Sequence, residues 1–101
     1  SASKIAVSLR YNLCLLLLKN GRYTETITRI NELIPAAKEA GSYRHLSVCY
    51  LRKGLALAKT GNPEGRLLID QAFRLIEAAD DQDFKANLEN EYNLLKEQSN
   101  S

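Results

Sequence analysis

From Leu13 to Leu18 the chain carries six apolar residues in succession, and the run stops at Lys19-Asn20-Gly21. Residues 4–19 lack Pro and Gly and are rich in Leu, with β-branching confined mainly to Ile5 and Val7. The segment therefore predicts a helix rather than a strand. At the helical period, Leu9, Leu13 and Leu16 share one face, while Tyr11, Leu15 and Leu18 share another. A helix apolar on two faces is expected to be covered on both sides. Asn20-Gly21 should end it, because both residues tolerate the left-handed backbone of a helix C-terminus.

Tyr23, Ile27, Ile30, Ile34 and Ala37 follow at spacings of 4, 3, 4 and 3, which make one amphipathic stripe. Pro35 lies inside it and removes one backbone donor. A bend is expected there rather than an end, since residues 36–40 continue as good helix formers. Gly41-Ser42 supplies a turn and a cap. A third helix, apolar around much of its circumference, should run from Tyr43 to about Thr60. Gly61-Asn62-Pro63-Glu64 combines a terminating glycine, a capping Asn and an initial proline. The fourth helix should reach about Ala79, and Asp80 or Asp81 should open a fifth. Phe84, Leu88, Tyr92 and Leu95 mark the apolar side of that fifth helix. Gln98 to Ser101 are expected to fray.

At 101 residues the chain has room for one domain and a modest core. A 45% apolar, 26% charged composition argues against disorder. The formal net charge is +2, with Arg and Lys dispersed among Glu and Asp. A nucleic-acid surface normally clusters its cations, so direct contact of this segment with nucleic acid is not expected. The Leu13–Leu18 run is far too short to cross a bilayer, and no signal-peptide pattern is visible, so neither membrane insertion nor export is expected. Cys14 and Cys49 both sit in apolar helical patterns, without metal spacing. They read as buried free thiols of a reducing compartment, which places the protein in the cytoplasm.

Catalytic chemistry is hard to find. The lone His45, near the start of the third helix, reads as a surface or capping residue. No zinc spacing, phosphate-binding glycine loop or nucleophile elbow occurs. Asp80, Asp81 and Asp83 lack the spacing and the glycine of a calcium loop, and acids there suit a helix N-terminus instead. No catalytic residues, cofactor or metal are expected.

Gly21 and Gly61 stand forty residues apart and close equivalent helices. Short connections force antiparallel neighbours, so the order is two helical hairpins and a closing helix. A plain five-helix bundle is the duller alternative. The residues themselves resemble tetratricopeptide repeats. In the first unit Tyr11, Asn12, Leu13, Leu17, Gly21 and Tyr23 occupy the family's recurrent positions, and Cys14 stands where a small residue allows the helices to approach. Thr26 and Leu33 replace usual alanines. In the second unit Tyr50, Gly54, Leu57 and Gly61 match, with Gly54 in the small-residue position, whereas Lys53, Pro63 and Ala72 depart from the pattern. The resemblance implies an all-α superhelix in a single domain over 1–101, with repeats at 5–40 and 43–79 and a capping helix at 81–97. Units longer than the family's usual length are similar to the C-terminal repeat regions of Gram-positive, peptide-sensing transcription regulators of the Rgg and PlcR type. Those regions bind a short peptide and dimerise behind an upstream DNA-binding domain.

In such a superhelix the first helix of each hairpin lines the concave side. The resemblance thus points to Tyr11, Asn12, Leu15 and Lys19 from the first unit and Leu51, Arg52, Leu55 and Lys59 from the second, with Ser8 and Val48 nearby. Asn12 and Arg52 would bond a peptide main chain or carboxylate, unless they are simply solvated. The leucines would take apolar side chains, or else belong to the inter-helix core or a dimer face. Tyr11 and Leu15 stand where chaperone-binding relatives carry a carboxylate clamp, so that clamp is not expected. Two readings follow: a ligand-sensing or dimerisation part of a bacterial regulator that binds a short apolar peptide, or a constitutive protein–protein scaffold. Homodimerisation is expected under both, because a short row leaves an apolar end.

Overall fold

The computed structural model describes residues 2–97, so the expected fraying of Gln98 to Ser101 lies outside the described residues. Five helices make up the fold: α1 (Ala2–Lys19), α2 (Tyr23–Glu39), α3 (Tyr43–Lys59), α4 (Glu64–Ala78) and α5 (Gln82–Lys96). There is no strand among the described residues, and the fold is all-α. Each helix packs on the next in sequence, and α3 also touches both α1 and α5.

The boundaries follow from local chemistry. After α1, the Gly21 N–H reaches the Leu18 carbonyl at 3.1 Å and the Arg22 N–H reaches that of Leu17 at 2.9 Å. This pair of bonds satisfies carbonyls that a helix end leaves open, and it places Gly21 at φ 74°. Gly41 and Gly61 repeat the arrangement. Asp80 occupies the same place at the end of α4 with φ 53°, the one such position among the described residues held by a side chain other than hydrogen. The starts of α3, α4 and α5 are capped as the sequence suggests. Ser42 Oγ accepts from the His45 N–H, Asn62 Oδ1 from Glu64, and Asp81 Oδ1 from Phe84. α2 runs on through Pro35.

The core lies chiefly between α3, α4 and α5, where Leu51, Leu55, Ile69, Ala72, Ile76, Leu88 and Leu95 are buried together with Leu18. A smaller cluster of Cys14, Ile30, Leu33 and Cys49 fills the space between α1, α2 and α3. α3 and α4 form the most extensively packed pair. Gly54 and Gly65 face one another there: a Cβ on Gly54 would lie 2.7 Å from the Gly65 carbonyl oxygen and 2.9 Å from the Ile69 nitrogen. The absence of a Cβ at both positions lets the two backbones come into contact. α1 and α2 pack less extensively.

The expectation that α1 is covered on both apolar faces is not met. Leu18 and Cys14 are buried, but Leu9 and Leu16 are 62% and 58% exposed and Leu13 is 37% exposed. The reason is that α2 and α3 lie mainly on the Tyr11–Cys14–Leu18 side, so Leu9 and Leu16 stay in solvent while Leu13 borders α2.

Candidate functional site

α1, α3 and α5 enclose an open groove of about 430 Å³. Tyr11, Asn12 and Ser8 form its α1 wall, His45, Val48 and Arg52 its α3 floor, and Phe84 of α5 closes one side. Asn12 is exposed, so its amide is open to a ligand. Val48 and Phe84 are half-buried and supply apolar surface beside it. Among the residues that the sequence singles out, Tyr11, Asn12 and Arg52 are thus brought together.

The groove is held by polar contacts. Arg52 is 7% exposed, neither solvated nor free for a ligand. Its Nε and Nη2 donate to the two carboxylate oxygens of Glu91 at 3.0 and 2.8 Å, and its Nη1 donates to the Tyr11 carbonyl at 2.8 Å. One guanidinium therefore ties α1, α3 and α5 together, and its planar fork suits the bidentate carboxylate. This corrects the expectation of Arg52 as a ligand fork: its donors are directed to Glu91 and Tyr11.

The Tyr11 ring lies 4.8 Å from that of His45, tilted by 41°. Ser42 Oγ and His45 Nδ1 are 2.7 Å apart, which orients the imidazole at the groove's edge. The Cys49 thiol donates to the Tyr11 hydroxyl at 3.7 Å. Burial, with the hydrogen bond from Cys49 second, pushes the Tyr11 phenol well above its ordinary range. Burial also raises Cys49 and Cys14, so both thiols stay protonated and poorly nucleophilic at neutral pH. At the groove's other end, Arg44 grips Asp81 through Nε at 2.7 Å and Nη2 at 3.1 Å, and the Tyr43 hydroxyl donates to the same carboxylate at 2.8 Å. Arg44 also lies 5.0 Å from the Phe84 ring centre.

The remaining expected site residues lie elsewhere. Leu51 and Leu55 are 0% and 3% exposed, so of the readings left open for them the core is correct. α4 and α5 close over the face that a ligand would have used. Leu15 is half-buried against the same core. Lys19 and Lys59 stand in the last turns of α1 and α3, where a cation complements the helix dipole. Sequence reasoning did not place His45 or Phe84 in the groove. The Tyr11–His45 stack spans 34 positions and the Arg52–Glu91 pair 39, and no local pattern announces either. Among the described residues no three His, Cys, Asp or Glu side chains converge to hold a metal, and no helix is long and apolar enough to cross a membrane. No protein-family model, curated protein or solved structure matches the chain, and any functional reading rests on the groove's own geometry.

Proposed function

We propose that the chain is a non-catalytic helical-repeat module of the tetratricopeptide type, whose α1–α3–α5 groove binds a short, partly apolar peptide segment. The observation that carries this reading is the groove itself: an open volume of about 430 Å³ that sets the exposed Asn12 amide beside the half-buried Val48 and Phe84. A primary amide can accept from one peptide N–H and donate to a carbonyl, and the apolar wall takes a neighbouring side chain. The stacking of α3 on both α1 and α5 supports the repeat reading. In this reading the module serves as the ligand-sensing or dimerisation part of a cytoplasmic bacterial transcription regulator.

The test is a fluorescence-anisotropy titration of labelled short apolar peptides. Saturable binding is expected, with Asn12→Ala weakening it about fivefold, the worth of one hydrogen bond, and Val48→Glu abolishing it. Both variants should keep the far-ultraviolet circular dichroism of the parent. Arg52→Ala is unsuited to this purpose, since it opens the contact between α3 and α5 as well as the groove. Peptide binding that ignores both Asn12 and Val48 would remove the groove from consideration. A constitutive scaffold is the second reading, favoured by the uncovered leucines of α1. It would show assembly without any short-peptide ligand.

A further inference from the structure

Outside the groove, the largest unexplained feature is the outer face of α1. Ile5, Leu9 and Leu16 are 63%, 62% and 58% exposed, and Leu13 is 37% exposed. At 100° per residue these four fall within an arc of about 80°, and the row from Ile5 to Leu16 is about 17 Å long, three helical turns. Single exposed leucines are ordinary on a protein surface, as Leu67 and Leu94 are here, but a continuous row is not.

The charge beside this row says what would cover it. α1 carries Lys4, Arg10 and Lys19 and no acidic residue. Next to Leu13, a cleft of about 220 Å³ between α1 and α2 is lined by Arg10 and Arg29, with Glu32 as its acid. Arg29 meets Glu32 at 3.9 Å with both side chains more than half exposed, so this ion pair is weak and the cleft keeps an excess positive charge. Two copies of α1 laid face to face would bring cation against cation with no acid of either α1 between them. An apolar row bordered by Arg10 and Arg29 instead complements a helix that is apolar on one side and acidic at its margin.

We propose that the Ile5–Leu9–Leu13–Leu16 face of α1 docks an acidic amphipathic helix of about three turns from a partner protein, with Arg10 and Arg29 receiving its carboxylates. The row supplies the apolar anchors, spaced as a helix-in-groove contact requires, and the cleft sets polarity and register. This surface is independent of the peptide groove, because Val48 and Phe84 take no part in it. Homodimerisation through this face is disfavoured by the same charges.

The experiment uses two labelled 14-residue peptides, leucine at the i, i+3, i+4 and i+7 positions and either glutamate or lysine elsewhere, titrated by anisotropy at low and high salt. The acidic peptide should bind at least about tenfold more tightly than its basic twin, and salt should narrow the difference. Leu9→Glu should abolish binding without altering the dichroism, since its side chain lies in solvent, and Arg10→Glu should remove the preference for acid. Val48→Glu, which disables the groove, should leave the preference for the acidic over the basic peptide in place, which separates this outcome from failure of the groove. Equal affinity for both peptides, or no binding to either, would overturn the proposal. So would a light-scattering dimer that Leu9→Glu dissociates, because the occupant would then be a second copy.

Discussion

At the scale of single residues, two facing glycines let α3 and α4 approach closely. Gly54 was singled out in the sequence by a resemblance to repeat units, which expects a small residue there. Gly65 was not, because no local pattern says what a glycine in the first turn of α4 lies against. Its purpose is visible only when α4 is laid on α3, where a Cβ would meet the Ala58 nitrogen at 2.5 Å. Backbone atoms cannot swing aside as side-chain ends do. Gly65→Ala is therefore expected to cost roughly 2–3 kcal/mol by overpacking, despite alanine's better helix propensity, and a urea unfolding curve would show it. An unchanged or higher midpoint would mean that the helices separate easily at this point. Asp80 is the counterpart at a turn. Aspartate tolerates the left-handed backbone better than most side chains, which is why α4 ends there without a glycine.

At the scale of elements, α5 is tied to α3 by polar contacts at both ends, and Lys85–Glu77 and Arg66–Tyr92 add contacts to α4. Arg52 holds Glu91 near its C-terminal half, and Arg44 with Tyr43 holds Asp81 at its cap. The Arg44 guanidinium, followed by the Phe84 N–H and the Tyr43 hydroxyl, keeps the Asp81 carboxyl below the ordinary carboxylate range. The folded state therefore prefers the ionised form. The stabilisation from this group is complete above the ordinary aspartate pKa of about 4 and is lost as pH falls through the lower folded value. α5 should accordingly loosen in acid, seen as falling thermal midpoints below about pH 4. Asp81→Asn keeps a capping side chain but removes the titration, so its midpoint should start lower and decline less in that window. Equal acid sensitivity in both proteins would assign the effect to other carboxylates.

At the scale of the whole molecule, the two hairpins are unequal. The second packs glycine on glycine and is sealed by α5. The first packs around Cys14 and leaves the outer side of α1 to solvent. The buried thiols report on this difference. Both are held protonated by burial, so a thiol reagent at neutral pH reaches them only through opening. Labelling of the native protein should be at least about a hundredfold slower than in denaturant, and Cys14 should react before Cys49. Identical rates would mean that the molecule opens as one unit.

The sequence by itself determined the number of helices, their ends and their caps. Those features depend on contacts within four or five residues: the helical period, the glycines at 21, 41 and 61, and the capping Ser42, Asn62 and Asp81. Only the tertiary structure decided which apolar faces are covered. Leu51 and Leu55 look no different in sequence from Leu9 and Leu16, yet the first pair is core and the second is surface. Periodicity states that a face is apolar, whereas burial depends on which helix lies across it. The partner of Arg52 was likewise decided in three dimensions, since Glu91 comes within reach only when α5 folds back onto α3.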